Sequence, residues 1–206
     1  MVGEQDWFDD TLGACPIMAI LRGYSAQDTL VLAHRAWDLG ISLVEIPIQT
    51  DAALETLAAV ATAGRRHGAV VGAGTVLSPE QAIDARDAGA AFTVSPGFDP
   101  DVVTASHAAG LPSLPGVATA TDVQLAVRHG LRWLKAFPAA ALGEGWFTAM
   151  RGPFPQISYV ATGGMAAGNA ERFLNAGASA VAVGSALENP AQLEQLAAII
   201  AARQQQ

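Results

Sequence analysis

The stretch "AVVGAGTVLSPEQAIDARDAGAAFTVS", Ala69 to Ser95, decides the fold. It opens on a short apolar, β-branched run, "AVVGA" (Ala69–Ala73), which reads as a strand. Ser78 then precedes an Ala-rich segment of helical period, with Pro79 at the first helical position, where a missing N–H is no loss. Gly89 supplies the helix stop. A second strand run, "AFTVS" (Ala91–Ser95), begins two residues later. Strand, capped helix, glycine and strand make one βα unit with a short return loop.

The same unit recurs in both directions along the chain. Upstream lie "PIMAIL" (Pro16–Leu21) and "SLVEI" (Ser42–Ile46). Downstream lie "PSLPG" (Pro112–Gly116), "RWLKAF" (Arg132–Phe137), "SYVAT" (Ser158–Thr162) and "AVAVG" (Ala180–Gly184). The intervening segments carry start signals: Ser25 with Asp28 as a capping-box partner, Asp51, and Thr119 or Thr121. Glycines at 40, 64, 110, 130 and 177 mark the stops. Eight βα units predict a compact, closed (β/α)₈ barrel, an α/β fold, as a single domain over residues 1–206. Residues 1–14 are expected to form an N-terminal helix covering the barrel bottom, and residues 204–206 a frayed tail. An open doubly wound sheet is the rival. It calls for a glycine-rich dinucleotide fingerprint after the first strand, and "ILRGYSAQD" is not one.

Composition narrows the function. The chain is 51% hydrophobic and 15% charged, a globular balance. Its formal net charge of −8 argues against nucleic-acid or anionic-membrane partners. A single cysteine, Cys15, excludes an intrachain disulfide or a multi-thiolate metal site. The acidic start "MVGEQDWFDD" lacks a signal-peptide layout, and no apolar run is long enough to span a bilayer, so a cytoplasmic location is expected. His34, His67, His107 and His129 fall in predicted helices or at their ends, away from the strand ends. No metal-ligand spacing, nucleophile elbow or Walker loop is present, so neither a metal nor a cofactor is expected. Trp7, Trp37, Trp133 and Trp146 read as packing residues.

In closed βα barrels the chemistry sits at the C-terminal ends of the strands. Those ends carry Arg22, Glu45, Thr75, Pro96, Pro115 with Gly116, Lys135, Thr162–Gly164, and Gly184 with Ser185. Lys135 is the only lysine among 11 cationic residues. Its structural alternative is a snorkelling or ion-paired strand residue. Its functional reading is a nucleophile. A desolvated lysine can lose its proton where arginine cannot, and a neutral amine forms a Schiff base with a ketone. Glu45 reads either as a buried counter-ion to Arg22 or Lys135, or as the acid/base that Schiff-base chemistry needs. "TGG" and "GS" at the seventh and eighth strand ends suit a phosphate, since glycine lets backbone amides approach an anion. Each alone also fits an ordinary tight turn.

Taken together, "PIMAILRG", "VEIPI", "VGAGTVLSPEQ", "VSPG", "LPGVATATD", "LKAFPA", "GPFP", "ATGGM" and "AVGSAL" resemble the 2-keto-3-deoxy-6-phosphogluconate (KDPG) aldolase family, with its 2-keto-3-deoxy-6-phosphogalactonate branch. They run in family order from Pro16 to Leu187. The resemblance implies a class I aldolase cleaving KDPG reversibly to pyruvate and glyceraldehyde 3-phosphate. It implies Lys135 as Schiff-base lysine and Glu45 as acid/base. It also implies Thr75, Pro96, Pro115, Gly116 and Thr162 as substrate-pocket positions, and Gly163, Gly164, Gly184 and Ser185 as the phosphate site. A homotrimer is implied as well. One position departs: some gluconate-type members carry arginine four residues after the glutamate, where this chain has Gln49. Arg22, in the "LRG" motif of other members, is expected to take the substrate carboxylate, assisted by Gln49. "AILRG" and "VEIP" look galactonate-type, whereas Thr162 before Gly-Gly looks gluconate-type. The gluconate epimer is the favoured substrate. The galactonate epimer and 4-hydroxy-2-oxoglutarate (KHG) stay open as alternatives, and a catalytically silent phosphosugar-binding barrel is the alternative from another class.

Overall fold

Period-two alternation along short strands sends every second side chain into a barrel and the others toward surrounding helices. A computed structural model describes residues 4–203 and bears this out. The first residues of the expected N-terminal helix, 1–3, and the expected frayed tail, 204–206, lie outside the described residues. The strands are β1 (Ile17–Ile20), β2 (Leu43–Pro47), β3 (Val70–Gly74), β4 (Thr93–Val94), β5 (Ser113–Leu114), β6 (Gly116–Val117), β7 (Trp133–Ala136), β8 (Ser158–Thr162) and β9 (Ala180–Val183). The helices are α1 (Glu4–Ala14), α2 (Ala26–Asp38), α3 (Asp51–His67), α4 (Pro79–Asp87), α5 (Pro100–Ala108), α6 (Ala120–Arg128), α7 (Ala139–Leu142), α8 (Glu144–Arg151), α9 (Ala167–Ala176) and α10 (Pro190–Arg203), with a 3₁₀ turn at Ser185–Glu188.

All strand pairs are parallel, in the order β5-β4-β3-β2-β1-β9-β8-β7-β6. The two ends of that order are separated in sequence only by Pro115. Proline has no N–H for the ladder, so the predicted fifth strand is split into β5 and β6. The ring still closes there. The Leu114 carbonyl accepts from the Ser95 amide at 3.2 Å on one side, and the Pro115 carbonyl accepts from the Lys135 amide at 2.9 Å on the other. Eight staves, one of them broken, form the barrel.

The helix boundaries differ from expectation at two places. Thr50, not Asp51, caps α3. Thr50 has the extended backbone of a cap, and its hydroxyl accepts from the Ala53 amide at 3.3 Å, while Asp51 opens the first turn. Gly64 does not stop that helix, which runs on to His67 and ends at Gly68 in the left-handed region. Gly64 instead permits close packing of α3 on β3: a Cβ there would lie 2.9 Å from Val71 Cγ2. Elsewhere the expected signals hold. Ser78 caps α4 with Pro79 beside it, and Thr119 forms a capping box with Asp122 on α6. At α2, Ser25 caps the Asp28 amide, but the Asp28 carboxylate meets the Ser25 hydroxyl at 2.7 Å instead of a backbone N–H.

The barrel interior below the site is apolar. Met18, Leu43, Phe92, Val94, Leu114, Trp133 and Val160 meet Phe8 and Leu12 of α1, which closes the bottom as expected. Asp9 fixes α1 in place by accepting from Trp133 Nε1 at 2.7 Å and from Arg132 at 2.9 Å. A second layer of apolar side chains, including the buried Cys15, lies between the strands and the helices. No helix among the described residues is long and apolar enough to cross a membrane.

Candidate active site

The site is set by two-residue steps along strands whose lower positions are packed. Leu43 points into the plug, so Glu45 points into the barrel one layer higher. On β7 the same step leads from Trp133 to Lys135 and on to Phe137. Both ionisable side chains are almost without solvent contact: Lys135 is 2% exposed and Glu45 0%. Lys135 Nζ lies 4.0 Å from Glu45 Oε1 and 5.2 Å from the centre of the Phe137 ring. Neither carboxylate oxygen of Glu45 has a hydrogen-bond partner. Burial pushes the Glu45 carboxyl above the usual carboxylate range, and the charges of Lys135 and Arg22 only partly offset that. A carboxyl raised in this way can hold a proton and release it to a reacting group.

Strand β3 makes room for Glu45, and for Phe92 of the plug below it, by carrying glycine where it faces each of them. A Cβ at Gly74 would stand 2.0 Å from Glu45 Oε1, and one at Gly72 would stand 2.5 Å from the Phe92 ring. The next residue, Thr75, has φ +58°, an outlying conformation for a β-branched residue. Strain of this kind gathers at functional sites. The Thr75 hydroxyl accepts from Arg22 Nη2 at 3.5 Å, joining the ends of β1 and β3 across the mouth.

Above Lys135 opens a cavity of about 330 Å³. Its walls include Arg22, Lys135, Phe137, Thr162, Gly163, Gly164, Gly184 and Ser185. Seven of the sequence-expected site residues are thus brought to one space. Glu45 and Thr75 sit beside that cavity without lining it. Gln49 lies in an adjoining groove that meets the cavity at Arg22 and Tyr24. Pro96 and Gly116 line a third hollow, on the far side of Phe137. Their contact also has a structural cause. A Cβ at Gly116 would fall 2.0 Å from the Pro96 carbonyl oxygen, so glycine there lets the ends of β4 and β6 meet. Pro115 supplies the carbonyl that receives the Lys135 amide.

The Gly163–Gly164 turn has two successive left-handed residues, φ +94° and +76°. Its shape is held from behind by Asn169, whose side chain donates to the Gly164 carbonyl and accepts from the Ala166 amide, both at 2.9 Å. That bracket also fixes the start of α9. Sequence reading missed Asn169, Phe137 and Tyr24. The period-two step from Lys135 marked Phe137. Nothing local marked the other two. The four histidines lie on α2, α3 and α5 and at the end of α6, and no cluster of three or more His, Cys, Asp or Glu side chains among the described residues is placed to hold a metal ion.

The chain is similar to known aldolases in sequence and in fold. A family model described as KDPG and KHG aldolase matches residues 8–202. The 2-dehydro-3-deoxy-phosphogluconate aldolase of Treponema pallidum is 36% identical over 162 residues, covering 77% of this chain and 74% of the relative. The 2-dehydro-3-deoxy-6-phosphogalactonate aldolase of Escherichia coli is 32% identical over 180 residues, 86% of each chain. The solved structure of the Legionella pneumophila KDPG aldolase, with pyruvate captured as a covalent carbinolamine, has a TM-score of 0.80 at 29% identity. It covers 93% of this chain and 95% of that one.

Proposed function

Because the chain belongs to the KDPG and KHG aldolase family, we propose that this aldolase, a lyase, cleaves 2-keto-3-deoxy-6-phosphogluconate to pyruvate and glyceraldehyde 3-phosphate through a Schiff base on Lys135. The observation that carries the reading is the buried Lys135–Glu45 pair, 4.0 Å apart, at a cavity whose walls also include Gly163, Gly164, Gly184 and Ser185.

The chemistry follows from those groups. The Lys135 amine adds to the substrate's C2 ketone, giving a carbinolamine. Glu45 delivers a proton to the departing hydroxyl, and loss of water leaves an iminium. The Glu45 carboxylate, now ionised, receives the proton of the C4 hydroxyl, directly or through a water. The C3–C4 bond then breaks, its electron pair moves into the iminium as an enamine, and the aldehyde leaves. Protonation of C3 and hydrolysis of the new iminium release pyruvate and restore the amine. Arg22 receives the substrate carboxylate, with Gln49 assisting from the adjoining groove. Thr75, Pro96, Pro115, Gly116 and Thr162 shape the pocket. The amides of Gly163, Gly164, Gly184 and Ser185 hold the phosphate.

Thr162 on the cavity wall supports the gluconate epimer: its hydroxyl donates to the Val160 carbonyl at 3.4 Å and can still accept from a substrate hydroxyl, which would discriminate between C4 epimers. Arg22 on the same wall supports the galactonate alternative, through the "LRG" motif of that branch. Steady-state cleavage of both epimers and of KHG tests this. The gluconate reading expects the highest kcat/KM for KDPG. A higher value for the galactonate epimer overturns the epimer assignment, and a preference for unphosphorylated KHG overturns the phosphate site. The protein is further proposed to be a homotrimer, for which light scattering should return three chain masses.

A further inference from the structure

Tyr24 is the one aromatic side chain of the β1–α2 loop, and it borders the Lys135 cavity, the groove holding Gln49 and a hollow against α2. None of the roles above uses it. Its hydroxyl donates to the carboxylate of Glu188. Glu188 is the last residue of the 3₁₀ turn that begins at Ser185. In a 3₁₀ turn, side chains three residues apart eclipse one another, separated by a rise of about 6 Å. Glu188 therefore projects from the same face of the turn as Ser185, one of the residues assigned to the phosphate. An exposed carboxylate in that position works against a phosphate dianion. The hydrogen bond holds it in the hollow it shares with Tyr24, Asp28 and Arg35, outside the walls of the Lys135 cavity. Arg35 also anchors the turn, donating to the Leu187 carbonyl at 2.9 Å.

We infer that Tyr24 is a positioning residue for phosphorylated substrate: by holding the Glu188 carboxylate against α2, it keeps that negative charge away from the anion that docks on the Gly184–Ser185 turn. The inference rests on the aldolase reading and on the phosphate end assigned to it. Its hydroxyl is committed to Glu188, and in this role it acts through that carboxylate.

The test uses the full chain with pyruvate and two aldehydes, glyceraldehyde 3-phosphate and glyceraldehyde, in Tyr24→Phe, Glu188→Gln and the double variant. Letting the carboxylate approach the dianion through a water-like medium should raise KM for the phosphorylated aldehyde about two-fold or more, less at high salt. Tyr24→Phe should show that rise with kcat unchanged and with KM for glyceraldehyde unchanged. Glu188→Gln should show no rise, and adding it to Tyr24→Phe should restore the wild-type KM. An equal rise for both aldehydes, no rise in Tyr24→Phe, or a double variant no better than Tyr24→Phe overturns the inference. Borohydride trapping of pyruvate separates the two failures. Wild-type protein that forms no adduct overturns the aldolase reading and the inference together, whereas normal trapping with an unmoved KM overturns the inference alone.

Discussion

The lower and upper halves of the barrel interior grow from the same strands and differ by a step of two residues. Below, Leu43 on β2 and Trp133 on β7 join Phe92, Met18 and the α1 side chains Phe8 and Leu12 in a closed apolar plug. Above, Glu45 and Lys135 occupy the equivalent places, with Arg22 and Thr75 at the rim. The lower layer is stabilised by burial of matched apolar surface. The upper layer does the opposite: it holds a carboxyl without hydrogen-bond partners and a residue with strained backbone. The plug supplies the stability that lets a costly arrangement persist one layer higher. Substitutions in the two layers should therefore separate stability from activity.

The largest effect is expected at Lys135. Lys135→Arg offers no amine that can form a Schiff base, so turnover should fall by about 10⁴-fold or more while the protein stays folded. A variant retaining a tenth of the wild-type rate would refute the covalent mechanism. Glu45→Gln should lower kcat by about 10²–10⁴-fold, the usual contribution of a positioned acid/base. A loss under ten-fold in initial-rate assays would return Glu45 to a structural role. In the lower layer, Leu43→Ala should cost about 2–5 kcal/mol in chemical denaturation while the folded fraction keeps its kcat. A loss of kcat without a loss of stability there would erase the contrast between layers. Arg22→Ala should raise KM about ten- to hundred-fold through the lost carboxylate contact. Near-normal turnover at low substrate would move that role to Gln49.

The smallest effect is expected in the pH dependence of stability. The Glu45 carboxyl is raised in the folded state, so the native protein binds more protons than the unfolded chain in the interval between the two pKa values. The penalty for burying the charged form is absent below the unfolded value and grows as pH rises toward the folded one. Glu45→Gln removes it. The variant should therefore be more stable than wild type at neutral pH, and the gain should shrink on acidification. Melting curves of the two proteins across pH 4 to 8 check this, and an acid-side gain would reverse the sign.

The barrel and the two ionisable residues inside it are legible in the sequence because both rest on local pattern. Apolar runs alternating with capped, glycine-stopped helices specify βα repetition, and one lysine among ten arginines stands out without any structure. What stayed hidden depends on contacts between distant segments. The split at Pro115 is visible as a proline, but its part in closing the ring needs the Ser95 and Lys135 amides on either side. Nothing in the third strand run shows why glycines stand at 72 and 74; the reason is that Phe92 and Glu45 fill the space they leave. Gly64 carries the usual mark of a helix stop, yet close packing against Val71 carries the helix past it. Tyr24 and Glu188 lie 164 residues apart, with no motif that joins them.

The most direct test of the account is to incubate the protein with pyruvate and borohydride, digest it, and locate the adduct by peptide mass spectrometry. With a single lysine in the chain, the assignment has only the N-terminal amine to exclude. The account predicts a reduced pyruvyl group on Lys135 in wild type and none on Lys135→Arg. Folded wild-type protein that shows no adduct at Lys135, alongside a reacting lysine aldolase as control, would contradict the central claim.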